Sequence, residues 1–402
     1  MQRYTRDFLR EIPKTDLHVH LDGSLRLSTL IELAKDQNIE LPSFTESGLI
    51  ETVFKRSYQN LDEYLAGFKW TTSVLQTAEA LERVAYELAI DNFTEGVRYF
   101  EVRFAPQLNI TRTLSFEEVM HAVDRGLKTA TAEMNRTIEG DEPPYDYGII
   151  VCAMRFFNEQ FSQYFADLIH VLRFSTLQEV IQRASLELAK ATVALTETTD
   201  VKVVGFDLAG SERGNPAGAH RAAYEYAHKH FLRKTVHAGE AYGPESIFQA
   251  ITKLHADRIG HGMHLFDHDM IESEDIPDRK EYCEQLADYI AENRTTIEVC
   301  LTSNLQTSPH IGSVANHSLA TMLDHRLSVT LCTDNRLVSH TTVTDEIALA
   351  TDNIDISPNQ LKNMIIYGFK RSFFYGSYSE KRAYVRKIID YYEQVAARHG
   401  IE

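Results

Sequence analysis

Residues 13–25 read PKTDLHVHLDGSL, and the alternation inside this stretch sets the fold. Side chains along a strand point to alternate faces, so His18 and His20 share one face while Leu17, Val19 and Leu21 take the other. Two imidazoles side by side at a strand end make half of a metal site. An isolated His-x-His more often marks a buried strand with two hydrogen-bonded histidines, so the other half has to come from elsewhere. His237, His261 and Asp334 each close a short apolar run far away in sequence. Polar groups at successive strand ends converge in a barrel.

Outward from that strand, apolar runs and helical patterns alternate. A helix is expected over 26–37. Helical spacing continues over 41–72, broken by Pro42 and Gly48, and within it Leu61, Tyr64, Leu65 and Phe68 fall on one apolar face. That stripe is either core packing or the wall of a pocket. Another helix covers 78–92, and the β-branched and aromatic run after Gly96 reads as the second strand. A long helix over 116–136 ends in the polar loop GDEPPYDYG. Further strands are expected over 147–156, 201–208, 234–237, 258–260, 296–301 and 328–333, giving eight in all. Helical patterns over 158–174 (in part), 177–197, 220–230, 243–254, 281–293 and 314–325 lie between most of them. Continuous apolar runs suit strands buried on both faces. Eight such units predict an α/β fold, a (β/α)₈ TIM-type barrel with extra helices over its C-terminal face and closing helices over 358–401. No linker divides the chain, so 1–402 reads as a single domain.

A chain of 402 residues with 43% apolar and 25% charged residues can build a large core. A formal charge of −17 repels phosphate backbones, so nucleic acid and anionic membranes are excluded as partners in favour of a small neutral molecule. Four widely spaced cysteines form no Cys-x-x-Cys pair. The N-terminal MQRYTRDFLREIPK lacks the apolar core of a signal peptide, and no stretch reaches membrane-spanning length. These features read as a reduced, cytoplasmic protein. The cytidine-deaminase signature of His-x-Glu with Pro-Cys-x-x-Cys is also missing.

On a barrel, the polar residues fall at the C-terminal strand ends, where barrel enzymes keep their sites. Imidazole nitrogens with one carboxylate suit zinc with an open position for water. Glu240, three residues beyond His237, is placed to carry a proton without binding the metal. Six segments then matter together: HVHLDGSL, GFDLAGSE, TVHAGEAYGPESI, RIGHGMHL, EVCLTSNLQT and CTDNRLVSHTTVTDEI. In this order, over nearly the whole chain, they resemble the adenosine deaminases of the metal-dependent amidohydrolase superfamily.

The resemblance implies one Zn²⁺ per chain on His18, His20, His237 and Asp334, and a zinc-dependent deaminase of purine salvage. Zinc brings the pKa of its water near 7, and the implied reaction is attack of that hydroxide on the amino-bearing carbon of adenosine or 2′-deoxyadenosine, with loss of ammonia. Glu240 matches the proton donor to ring N1, and His261 the residue that orients and deprotonates the water. Asp334 both binds zinc and accepts a hydrogen bond from the water. His20 and Asp22 match substrate-facing positions; Asp22 matches the contact to a ribose hydroxyl and favours a nucleoside. Gly210 matches a backbone amide facing the purine, and Leu61, Tyr64, Leu65 and Phe68 match a helical lid, which favours the pocket-wall reading. Ser303 and Asn304 read as loop support, and Arg103 and Arg155 as structural ion-pair partners. One departure stands out: the usual pair of aspartates after strand eight is here Asp334 and Asn335. Asparagine can donate to purine N7 without taking up a proton, which predicts retained activity on purines. The alternative is a shifted substrate: a modified adenine nucleoside, adenine, an adenine-containing futalosine compound or AMP, the last disfavoured by the acidic charge and the lack of a basic cluster near the motifs.

Overall fold

A computed structural model describes residues 4–401; the first three residues of the N-terminal stretch and Glu402 lie outside it. Eight strands form one parallel sheet in sequence order: β1 Lys14–His20, β2 Val97–Phe104, β3 Asp146–Met154, β4 Val203–Ala209, β5 Arg233–Ala238, β6 Arg258–His261, β7 Thr296–Val299 and β8 Ser328–Leu331. The barrel is nearly closed between β8 and β1. There a parallel bridge joins Val19 to Asp334, with His20 N–H donating to the Asp334 carbonyl and Asp334 N–H to the His18 carbonyl, both at 2.7 Å. The seam of the barrel therefore runs through three of the residues singled out by sequence. Inward and outward faces of the strands are both buried, including the charged side chains that interrupt their apolar runs, such as Glu101, Arg103, Asp207 and Glu298. All four cysteines are buried and unpaired by disulfides. Among the described residues no helix is long and apolar enough to cross a membrane.

Several elements differ from expectation. The stretch 41–72 is three short helices, Glu46–Thr52, Leu61–Leu65 and Phe68–Ser73. Gly48 sits inside the first of them and breaks nothing. The breaks come instead where Thr45 and Asn60 cap new N-termini through side-chain oxygens, and at Gly67, which opens the third helix without a side-chain cap. β7 stops at Val299, because a helix, Leu301–Thr307, begins almost at once. The helix expected over 314–325 is a single 3₁₀ turn, Val314–Asn316, and a helix, Leu319–Asp324. They are parted where the His317 ring takes the Leu319 N–H at 3.0 Å. A helix over Val343–Asn353 had no counterpart in the sequence reading, although Thr342 caps it and accepts from Asp345 N.

Candidate metal centre and active site

Four side chains meet at the C-terminal mouth of the barrel. His18, His20, His237 and Asp334 are all buried, and one ligand atom from each lies within 4.8 Å of the others. Asp334 Oδ1 stands 3.4 Å from His18 Nε2 and 3.5 Å from His20 Nε2, and His20 Nε2 stands 3.1 Å from His237 Nε2. Strand geometry sends His18 and His20 to the same side, with ring centroids 5.4 Å apart. Asp334 adopts a left-handed backbone, φ +59°, which a non-glycine residue takes only at a cost of roughly 1–3 kcal/mol.

A second layer of acids holds the rings in one tautomer. Glu298 Oε2 faces His18 Nδ1 at 2.9 Å, and Asp207 faces His237 Nδ1 at 3.0 Å. A carboxylate on Nδ1 keeps the proton there and leaves the Nε2 lone pair free. His18 Nε2 is buried with no hydrogen-bond partner. Burial and Arg103 oppose a charge on His18, yet the Asp334 and Glu298 carboxylates outweigh them and raise its pKa. Burial would raise Asp334, but the His18 ring 3.4 Å away and the other imidazoles around it hold it far below the carboxylate range. Burial holds His20 and His237 below the ordinary imidazole value, so both stay neutral with lone pairs to offer, and converging imidazole lone pairs with one ionised carboxylate fit a single divalent cation.

Glu240 and His261 stand beside this group. Glu240 Oε1 is 3.6 Å from His261 Nε2, whose ring nitrogen is buried without a partner. Burial, with the charges of Asp334 and Glu212 behind it, pushes Glu240 well above the carboxylate range. The loop that carries Glu240 is pinned by the Glu212 carboxylate, which accepts from the backbone N–H groups of Gly239, Glu240, Ala241 and Tyr242 at 2.7–3.0 Å. His261 also has a left-handed backbone, φ +66°, and burial depresses it well below the ordinary imidazole value.

These groups open onto a cavity of about 1140 Å³. Leu61, Tyr64, Leu65 and Phe68 line one wall, and Asp22, Gly210 and Asn335 line others. Asp22 Oδ1 is buried without a partner, and burial pushes its carboxyl up to about 7. Gly210 has φ +100°, a conformation that favours glycine. Asn335 Nδ2 donates to the Tyr64 hydroxyl at 2.8 Å, which also bonds Ser339 Oγ at 2.8 Å. A Cβ at Gly23 would fall 1.8 Å from Asn335 Oδ1, so the HLDG turn needs glycine to seat Asn335.

The sequence reading left several contributors unassigned. Ser303 and Asn304 lie on a helix, not a loop; Ser303 Oγ donates to Asp334 Oδ2 at 2.5 Å, and Asn304 reaches His261 Nδ1 at 3.0 Å. Arg103 is an ion-pair residue, joining Asp207 and Glu298 at 2.9 Å each. Arg155 mainly donates to backbone, to the His237 carbonyl at 2.5 Å and the Asn215 carbonyl at 2.6 Å, with Glu212 at 3.9 Å. Asp207, Glu212 and Glu298 stood inside the quoted motifs. An acid within an apolar strand run was the signal that could have singled out Asp207 and Glu298.

The family model described as adenosine deaminase matches residues 13–391. An adenosine deaminase from Mycobacterium avium is 34% identical over 384 residues, covering 95% of each chain. Two solved structures share the fold. A zinc-bound amidohydrolase from Burkholderia ambifaria has a TM-score of 0.75 at 19% identity, covering 99% of this chain and 95% of its own. The N6-mAMP deaminase of Arabidopsis has a TM-score of 0.72 at 24% identity, covering 96% and 99%.

Proposed function

Because the chain belongs to the adenosine deaminase family, within the amidohydrolase superfamily, we propose that it is a zinc enzyme that hydrolyses adenosine and 2′-deoxyadenosine to inosine and 2′-deoxyinosine, releasing ammonia, and that it works as one domain. The observation that carries this reading is the juxtaposition of the His18, His20, His237 and Asp334 cluster with a protonatable Glu240 on one cavity wall.

His18, His20, His237 and Asp334 would hold the metal, which supplies a water acidic enough to act as nucleophile near neutral pH. Glu240, kept protonated by burial, donates its proton to purine N1 and so draws electron density from the amino-bearing carbon. His261 directs its unpartnered Nε2 into the same space and hydrogen-bonds the attacking oxygen. Asp22, with an unpartnered oxygen on the cavity wall, accepts from a ribose hydroxyl. One amide hydrogen of Asn335 is committed to Tyr64, and the other serves a purine acceptor. Gly210 lets the backbone approach the base, and the wall of Leu61, Tyr64, Leu65 and Phe68 excludes water from it. A second reading keeps the reaction and enlarges the substrate. The cavity exceeds the roughly 300–1,000 Å³ of ordinary small-molecule sites, which suits an adenine nucleoside with an added substituent.

The test follows ultraviolet absorbance with adenosine, 2′-deoxyadenosine, adenine and AMP in parallel, with and without chelator. Chelator-sensitive conversion of the two nucleosides, with adenine and AMP inert, is expected. No change with any of the four, in protein holding its metal, would overturn the adenosine reading in favour of the larger substrate.

A further inference from the structure

Behind His261 lies a buried chain of hydrogen bonds that begins at a donor of fixed identity. Leu319 N–H donates to His317 Nδ1 at 3.0 Å. A backbone N–H cannot accept, so His317 Nδ1 carries no proton, and the neutral ring must carry it on Nε2. His317 Nε2 faces Asn304 Oδ1 at 3.2 Å, and the amide orientation follows: oxygen toward His317, nitrogen toward His261. Asn304 Nδ2 then faces His261 Nδ1 at 3.0 Å as a donor. His261, Asn304 and His317 are 0%, 0% and 3% exposed, so no bulk water interrupts the sequence.

We infer that Asn304 and His317 are positioning residues that fix His261 in the tautomer with its proton on Nε2, so that His261 donates to the attacking oxygen. The ring's action on that oxygen rests on the deaminase reading; the tautomer does not. Each link uses one donor and one acceptor, and reversing any one would set two donors face to face. An N–H donor favours the deprotonated form of the oxygen it bonds, because hydrogen bonding to a charged form stabilises it. The part played by His261 is therefore to stabilise the nucleophile rather than to take its proton, which the resemblance had assigned to it. The arrangement mirrors the acids on His18 and His237. Carboxylates place the proton of those rings on Nδ1 and leave Nε2 as a ligand, whereas an amide donor places the proton of His261 on Nε2 and makes it unfit to bind metal. One kind of side chain thus serves two purposes according to what stands behind it.

The direct test is a long-range ¹H–¹⁵N correlation spectrum of the metal-loaded protein with ¹⁵N-labelled histidine, which reads which ring nitrogen carries the proton. Both His317 and His261 are expected to be protonated on Nε2 alone. Asn304→Asp replaces the donor facing His261 with an acceptor, so His261 should move its proton to Nδ1 while His317 is unchanged. In the same variant kcat should fall by about 10²–10⁴-fold with KM little altered, the scale seen when a catalytic imidazole is held in the wrong tautomer. His317→Gln, whose amide can donate to the same Asn304 oxygen, should keep the Nε2 proton on His261 and most of kcat, whereas His317→Leu should lose both. A wild-type His261 protonated on Nδ1 overturns the inference whatever the variants do, as does an Asn304→Asp protein that folds, holds its metal and leaves His261 on Nε2. A wild-type enzyme inert toward adenine nucleosides would sink the deaminase reading, and the spectra would still decide the tautomer.

Discussion

The middle of the barrel and its C-terminal mouth are both buried and both charged, yet they treat charge in opposite ways. In the middle, Glu298 meets Arg103 at 2.9 Å and Arg258 at 2.6 Å, Asp207 meets Arg103 at 2.9 Å, and Glu101 pairs with Arg258. At the mouth, His18 Nε2, His261 Nε2, Asp22 Oδ1 and Asn335 Oδ1 are buried without partners; in the middle Arg103 Nε also goes unmatched, but all three of those carboxylates are paired. An unmatched buried polar atom costs about 1–3 kcal/mol, so the mouth gives up stability that a bound cation and substrate can restore. The two layers touch through His18 to Glu298 and His237 to Asp207. Thus the paired layer orients the unpaired one, and the comparison separates residues that hold the barrel from residues that act on a ligand.

The largest break in that comparison is removal of a ligand at the mouth. His18→Ala or Asp334→Ala should abolish metal binding and reduce deamination to background, read by metal analysis beside the absorbance assay. Glu240→Gln should keep its metal while kcat falls by about 10²–10⁴-fold; loss of metal in that variant would move Glu240 from proton donor to ligand. A change in the middle should act on stability instead. Glu298→Gln leaves Arg103 and Arg258 short of a partner, so denaturant unfolding should show a loss of about 3–5 kcal/mol, with metal affinity weakened about 10–100-fold. An unchanged unfolding midpoint would erase the distinction between the layers.

A smaller effect is tied to pH. Glu346 accepts from the Thr341 hydroxyl at 2.7 Å and from Thr302 N–H at 3.2 Å, and burial pushes its carboxyl from 4.5 up to about 7. Between those values the folded protein keeps a proton that the unfolded chain has released. Stability therefore falls as pH rises through that window, by about 3 kcal/mol in total. Glu346→Gln should remove this component, so its advantage over the wild type widens from pH 4.5 to 7; parallel pH–stability curves would refute the burial argument. The smallest effects belong to the cavity wall. Tyr64→Phe deletes the partner of Asn335 and should raise KM by about fivefold, the worth of one hydrogen bond. Asn335→Asp should change adenosine turnover only a few-fold, and a large improvement would show that asparagine at 335 is fitted to another substrate.

The eight strands could be read from sequence because each holds a short run rich in apolar and β-branched residues that closes on polar ones, a pattern that survives the few charged residues inside it. The edges that failed depend on neighbours. Cys300 leaves β7 because the chain turns into Leu301–Thr307, and the region 41–72 breaks at caps that a helical stripe conceals. Within the site, residues that point at the cavity carried their own signal in type and spacing. Asn304 stood in a quoted segment, but its link to His317 carried no signal, since an amide and an imidazole thirteen residues apart acquire meaning only when the backbone brings them within 3.2 Å of each other. The role of Asn335 likewise turned on Tyr64, 271 residues away.

If one divalent metal at the mouth of the barrel makes this chain a deaminase of adenine nucleosides, as proposed, its activity must follow its metal content, and titrating zinc into metal-free protein while following adenosine absorbance reads that dependence. Activity should rise in proportion to metal and level at one equivalent per chain, with none in His18→Ala at any zinc level. Conversion that persists without metal, or that survives in His18→Ala, would rule the metal out as the source of the activity.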